Sequence, residues 1–231
     1  MRRRPALLAG MLAGVLLLAG CSADTGADAP EPPAQRLDTA RAALDAAGSV
    51  ALELTSRDVP SRENGVTAAK GSGVVSTTEP KFEGTITGSI KGVAGTVEVV
   101  AIGDTTWMKF FTPDFEKADL SSLGAPNPAT FFHPGEGISS LLPATEKPVA
   151  GEDVRQGSEV LHTIRGTLPG KPVTALLGLG DGTGSYAVTY GLTDADQLRT
   201  ATLTGPFFPG TSATYSLVLT KYGAPVEIAS P

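Results

Sequence analysis

Between Ser49 and Lys221 the sequence repeatedly alternates apolar and polar residues, and this period of two decides the fold class. Successive side chains on a β-strand point to opposite faces, so each alternating stretch predicts a strand with one buried face. Gly-, Asp- and Pro-rich turns separate the stretches. The predicted strands are Ser49–Ser56, Lys70–Thr78, Phe82–Ile90, Val93–Ile102, Thr105–Phe110, Glu159–Thr167, Ser185–Gly191, Leu198–Thr204 and Ala213–Lys221.

Most of these strands follow one another through connections of hairpin length, which predicts a meandering antiparallel sheet. One helix precedes the sheet, because Gln35–Ala47 carries apolar residues at helical spacing and Gly48 is placed to end it. We therefore predict an α+β fold in a single domain, residues 34–231.

The interval from Phe111 to Gly157 interrupts the meander with six prolines. Short helices are predicted within it at Pro128–Phe132 and Glu136–Leu142, and beyond it at Pro172–Leu177. Helices of this length are not stable in isolation, so each must lie on an apolar surface. One face of the sheet provides that surface.

Small residues recur at strand positions that are expected to face inward. They are Gly84, Gly88, Gly95, Ala101 and Gly191. Because protein interiors are normally filled with bulky side chains, these positions need an explanation. They predict either bends and bulges in the strands or an apolar cavity beneath the short helices. The sequence pattern leaves both readings open.

The N-terminus has the pattern of a lipoprotein signal peptide. A basic start precedes the apolar run Ala6–Leu18, which is shorter than the about 20 residues that span a bilayer. Small residues then lead to Cys21, whose thiol is placed for acylation. We predict that residues 1–20 are removed, that Cys21 is lipidated, and that residues 21–33 form a flexible tether. The anchor predicts a place on the cell membrane, facing the periplasm or cell wall.

Charge and motif content argue against several functions. After the signal peptide, 15 Lys and Arg stand against 24 Asp and Glu, a net charge near −9 that disfavours nucleic-acid binding. No serine-hydrolase signature, nucleotide-binding loop or metal-ligand spacing occurs. His162 shares a strand face with Ile164 and is predicted to line the interior. We predict no enzyme activity, no cofactor and no metal.

Four stretches, Val97–Phe110, Asn127–Leu142, Asp196–Leu198 and Tyr215–Ile228, carry a resemblance to a known family. They consist of strands, turns and short helices, and none is a catalytic signature. In their order, with the lipid-attachment pattern and tether before them, the chain resembles the mycobacterial LppX/LprAFG lipoproteins.

The resemblance implies a half-open, strongly curved antiparallel sheet with short helices on its concave side and an apolar cavity between them. It also implies a ligand carried across the periplasm: a triacylated glycolipid or a related envelope lipid, such as lipomannan, lipoarabinomannan, a phosphatidylinositol mannoside or a phthiocerol dimycocerosate. A membrane efflux transporter is the implied partner. The family's cavity positions fall here on Phe82, Ile86, Val97, Val99, Phe131, Phe132, Ile138, Leu141 and Leu142.

Three functions follow from this evidence. The first is a carrier of envelope lipid, for which a roomy apolar cavity is needed. The second is an anchored scaffold without lipid cargo, for which a filled core and an exposed apolar patch are expected. The third is a hydrolase of envelope lipid, which requires a histidine bonded to a serine and a carboxylate inside a cleft.

Overall fold

The alternating stretches form one antiparallel sheet, with twelve strands among the residues that the computed structural model describes, which are 31–61, 63–90 and 92–231. The strands are β1 (Ser49–Arg57), β2 (Gly65–Val74), β3 (Lys81–Ile90), β4 (Val93–Ile102), β5 (Thr105–Lys109), β6 (Glu116–Ala118), β7 (Glu146–Ala150), β8 (Val154–Gln156), β9 (Glu159–Pro169), β10 (Ser185–Leu192), β11 (Leu198–Phe208) and β12 (Thr211–Thr220). The sheet is strongly curved and half-open, so it is not a closed barrel.

Two meanders make up the sheet, and the first and last strands join them. Strands β1 to β6 pair in sequence order, β12, β11, β10 and β9 form the other half, and β1 pairs with β12 in the middle. Strand β7 lies at the far edge and β8 pairs with β9. The chain must therefore travel from the edge at β6 to the opposite edge at β7, and residues 119–145 make that crossing.

Short helices cover the concave face, three of them within this crossing. They are α1 (Pro33–Asp45), α2 (Leu120–Leu123), the 3₁₀ helices η1 (Pro128–Phe132) and η2 (Ile138–Leu141), and α3 (Gly170–Leu177). Helix α1 buries one apolar stripe and contacts η2, β7 and β11. Helix η1 lies on β2, β3 and β4, while α3 contacts β9 and η2. The core lies between these helices and the sheet.

Several predicted bounds needed correction. Helix α1 begins at Pro33 and ends at Asp45, two residues earlier at each end than predicted, because proline is well suited to the first helical turn. Strand β2 is Gly65–Val74 instead of Lys70–Thr78, since a bulge between Val66 and Ala68 interrupts its alternation. Strands β6, β7 and β8 were not predicted, because three to five residues are too few to show a period.

The predicted signal peptide, Cys21 and the tether up to residue 30 lie outside the described residues. Residues 31–231 form a compact unit of their own. No helix in this unit is long and apolar enough to cross a membrane.

Candidate functional site

A band of apolar side chains crosses eight neighbouring strands on the concave face. From β9 to β4, cross-strand partners place it along Ile164, Tyr190, Ala201, Leu217, Leu54, Ala69, Ile86 and Val97. Directly opposed residues of an antiparallel pair share a face, so these side chains form one continuous surface perpendicular to the strands. We call this surface the apolar band.

A cavity lies over the middle of the apolar band. About 50 Å³ of it can be reached by the centre of a water molecule, within about 570 Å³ of unfilled space that merges with open solvent. Four adjacent strands, β10, β11, β12 and β1, form its floor, and η1, η2 and the end of α3 cover it. The lining residues are Leu52, Leu54, Phe131, Ile138, Leu141, Leu176, Leu177, Tyr190, Leu198, Ala201, Leu203, Tyr215 and Leu217.

A second, smaller cavity lies beside the first, between η1, η2, α1 and the start of β1, and only about 10 Å³ of it can be reached by the centre of a water molecule. Phe131 and Ile138 line both cavities. These two side chains therefore form the partition between them, and a rotation of Phe131 would change how far the cavities are connected.

Two tyrosines bring hydroxyl groups into an otherwise hydrocarbon lining. The Tyr190 hydroxyl donates to the carbonyl oxygen of Leu141 at 3.3 Å and lies 3.0 Å from Oγ1 of Thr145. The Tyr215 hydroxyl is buried and has no hydrogen-bond partner among the described residues. Burial raises the pKa of Tyr215 to about 12 and also raises the pKa of Tyr190. Both remain neutral near pH 7, so the cavity lining carries no charge.

The inward-facing glycines do not lie beneath this cavity. Aromatic rings occupy the place of the missing side chains: Phe82 covers Gly71 and Gly84, Phe132 covers Gly73, and Phe110 covers Gly95. The rings of Phe82 and Phe132 also stack, with centroids 6.0 Å apart. The glycine positions are therefore filled space.

The remaining small residues have other roles. A side chain at Gly88 would overlap the backbone of Gly65 on β2, beside the bulge in that strand, which agrees with the reading of these glycines as bulge residues. A side chain at Gly191 would meet Leu161 and Thr200. Neither position faces an opening.

The sequence profile of the LppX_LprAFG lipoprotein family matches residues 32–228. The chain belongs to this family. Its fold is similar to that of LprF from Mycobacterium bovis, with a TM-score of 0.73 at 15% identity over 86% of this chain and 96% of that one. It is also similar to lipoprotein LppX from Mycobacterium tuberculosis, with a TM-score of 0.62 at 17% identity over 85% and 97% of the two chains. No curated protein matches the sequence.

Membership confirms the family predicted from the sequence, and the structural likeness confirms the predicted fold, a curved antiparallel sheet with short helices on its concave side. The LppX_LprAFG family is one of lipoproteins and not of enzymes, as predicted. It places the chain among membrane-anchored proteins of the cell envelope.

The structure places the predicted lining residues in three locations. Phe131, Ile138 and Leu141 line the larger cavity. Ile86 and Val97 lie half-buried in the apolar band, beyond the cavity. The others are buried outside the larger cavity: Phe82 and Phe132 in the ring stack, Val99 beside them on β4, and Leu142 after η2.

His162 lies outside the cavity, which corrects its predicted place in the lining. It shares the face of Ile164, as alternation predicts, but at the end of the sheet near Arg36 of α1. Its Nε2 and Nδ1 lie 2.9 and 3.0 Å from carboxylate oxygens of Asp194 and Asp153. These hydrogen bonds, first to Asp194 and then to Asp153, raise the pKa of His162. The two carboxylates thus favour the charged form of the ring, which the apolar cavity would disfavour.

Most of the cavity floor was missed in the sequence reading. The missed lining residues are Leu52, Leu54, Leu176, Leu177, Tyr190, Leu198, Ala201, Leu203, Tyr215 and Leu217. Alternation in β1 and β12 marks their inward faces. It does not reveal that β1 pairs with β12, which brings both strands beneath the covering helices.

Proposed function

We propose that this member of the LppX_LprAFG family is anchored to the membrane through Cys21, binds the acyl chains of a cell-envelope lipid in the larger cavity, and carries that lipid across the periplasm. The observation that carries the proposal is the cavity itself, which is uncharged and lined almost entirely by hydrocarbon. Transfer of an acyl chain to water costs about 0.8 kcal/mol per CH₂, so an unassisted lipid leaves a membrane slowly. A protein that shelters the chains lowers this barrier.

The proposed cargo is a triacylated glycolipid or a related envelope lipid, with its polar head left at the cavity mouth. One chain would enter the larger cavity. Further chains would use the half-buried part of the apolar band at Ala69, Ile86 and Val97. A membrane efflux transporter is the proposed partner for delivery.

Native mass spectrometry with lipid extraction tests this proposal. The mature chain, without Cys21, is purified from an actinobacterial host that makes these lipids. We expect co-purified acylated lipid, reduced about tenfold by Ala201→Leu, because the added carbons enter the cavity. Ala187→Leu is the matched control, since Ala187 is exposed on neighbouring β10. A folded protein that stays empty when offered envelope lipids would overturn the proposal.

One observation favours the scaffold as a second candidate. Phe111 is 88% exposed beside Phe110, at the edge of the sheet near β5. Phe110 and Phe111, whose ring centroids lie 4.0 Å apart, together form the aromatic surface that a scaffold would offer to a partner. Loss of an envelope partner in Phe111→Ser, together with an empty cavity in the wild type, would support the scaffold over the carrier.

A further inference from the structure

The Tyr215 hydroxyl is an unpaired polar group inside an apolar cavity. The residue is 4% exposed, lines the cavity, and its hydroxyl has no hydrogen-bond partner among the described residues. Burying a hydroxyl without a partner is unfavourable, and such groups are rare in folded proteins. Its presence therefore calls for a function.

Folding alone does not require this hydroxyl. The ring of Tyr215 packs edge-on against Phe207, with centroids 4.7 Å apart, and a phenylalanine would make the same contact. Tyr190 offers the comparison within the same cavity, because its hydroxyl is paired with Leu141 and lies beside Thr145. One tyrosine is thus satisfied by the protein and the other is not.

A bound water would not satisfy Tyr215 well. Buried waters need two to four polar partners. The other lining residues are aliphatic or aromatic, and the Tyr190 hydroxyl is already engaged. A water beside Tyr215 would have a single protein partner from the lining.

We propose that the Tyr215 hydroxyl donates a hydrogen bond to the ester carbonyl oxygen of a bound acyl chain, so that the cavity selects esterified acyl chains over plain hydrocarbon. The inference rests on the proposed lipid-binding function and specifies its ligand chemistry. A neutral ester fits better than an ionised carboxylate, because burial of an unpaired anion in an uncharged cavity is costly. The raised pKa of Tyr215 keeps the donor proton in place across the physiological range.

Two probes of equal heavy-atom count test the inference on the mature chain from residue 22, which contains the whole compact unit 31–231. Methyl palmitate carries the ester and nonadecane lacks it. Each is delivered from cyclodextrin and displaces a fluorescent fatty-acyl probe. We expect Tyr215→Phe to weaken methyl palmitate by about fivefold to tenfold and to leave nonadecane unchanged, since one net hydrogen bond is lost.

Tyr186→Phe is the matched control, because Tyr186 lies outside the cavity lining and its hydroxyl donates to the carbonyl oxygen of Pro206. We expect it to lower the urea midpoint of unfolding and to keep the preference for the ester. Tyr215→Phe is expected to hold or raise that midpoint, since no folded-state hydrogen bond is lost. Equal binding of both probes to wild type, or an unchanged ester preference in Tyr215→Phe, overturns the inference but not the carrier function. Binding of neither probe overturns both.

Discussion

Two parts of the sheet differ in how the space above their concave faces is filled. Strands β2, β3 and β4 contain six glycines in 30 residues, and rings of Phe82, Phe132 and Phe110 lie directly on four of them. The cavity strands β10, β11, β12 and β1 contain two glycines in 38 residues, and their inward positions are mainly large. The empty space lies over these mainly large residues, with Ala201 among them, and not over the glycines.

The difference teaches how space arises between a sheet and its covering helices. A glycine lets an aromatic ring approach the backbone and fill the space above it. Where that ring belongs to η1, as Phe132 does over Gly73, the helix lies close to the sheet. Leucines and tyrosines project from the sheet and meet the side chains of η1, η2 and α3 at their tips. Because these shapes do not fully interdigitate, an opening is left between them.

The largest expected effect would come from placing a side chain in the glycine-rich part. An added Cβ at Gly84 would lie 2.9 Å from Cζ of Phe82, 2.7 Å from the Cα of Gly71, and would overlap the carbonyl of Lys70. We expect Gly84→Ala to lower the free energy of unfolding by about 2–4 kcal/mol, measured by urea denaturation.

The control is the opposite exchange in the cavity strands. Ala201→Gly leaves the floor open and should cost only about 1 kcal/mol. If Gly84→Ala lowered the free energy of unfolding no more than Ala201→Gly does, close packing on the glycines would not distinguish the two parts of the sheet. The comparison between them would then be wrong.

A smaller effect is expected from a bulky residue in the apolar band beyond the cavity. Ile86 is half-buried on β3 and does not line the cavity, whereas Leu54 in the same row does. We expect Ile86→Trp to reduce co-purified multi-acylated lipid by about threefold while leaving methyl palmitate affinity unchanged. Leu54→Trp should reduce both. If Ile86→Trp and Leu54→Trp reduced co-purified lipid and methyl palmitate affinity equally, the two parts of the band would not bind different portions of the lipid.

The smallest expected effect is a pH dependence of stability that arises from His162. This residue lies on β9, near α1, in the part of the sheet that contains the cavity. The hydrogen bonds to Asp194 and Asp153 raise its pKa in the folded state above the ordinary value of 6.5. The protonated ring therefore stabilises the fold fully below pH 6.5, and this contribution is lost as the pH rises through the raised value.

The measurement is the urea midpoint between pH 5 and pH 9, for wild type and His162→Gln. We expect the wild-type advantage at low pH to shrink with rising pH, by a modest amount because the side chain is 32% exposed. A difference that is constant, or that grows with pH, would contradict this account of His162.

The elements of this fold could be read from the sequence wherever turn residues mark their ends. Strand β4 was predicted to the residue at Val93–Ile102, because Gly92 before it and the Gly103-Asp104 turn after it mark its ends, even though the apolar run Val99–Ala101 breaks its alternation. The position of the cavity could not be read, since it depends on the pairing of β1 with β12. It also depends on whether a glycine is left open or covered, as Gly73 is by Phe132, which only three-dimensional packing decides.

The direction of the apolar band has a consequence for cargo length. Neighbouring strands lie about 4.8 Å apart, so the four cavity strands span about 14 Å and all eight strands of the band about 34 Å. An acyl chain lying along the band would run perpendicular to the strands. The length of chain that can be buried would therefore depend on how many strands the band crosses. One substitution from small to large, for example at Ala69 on β2, would shorten the usable band by whole strand steps while leaving every strand length unchanged.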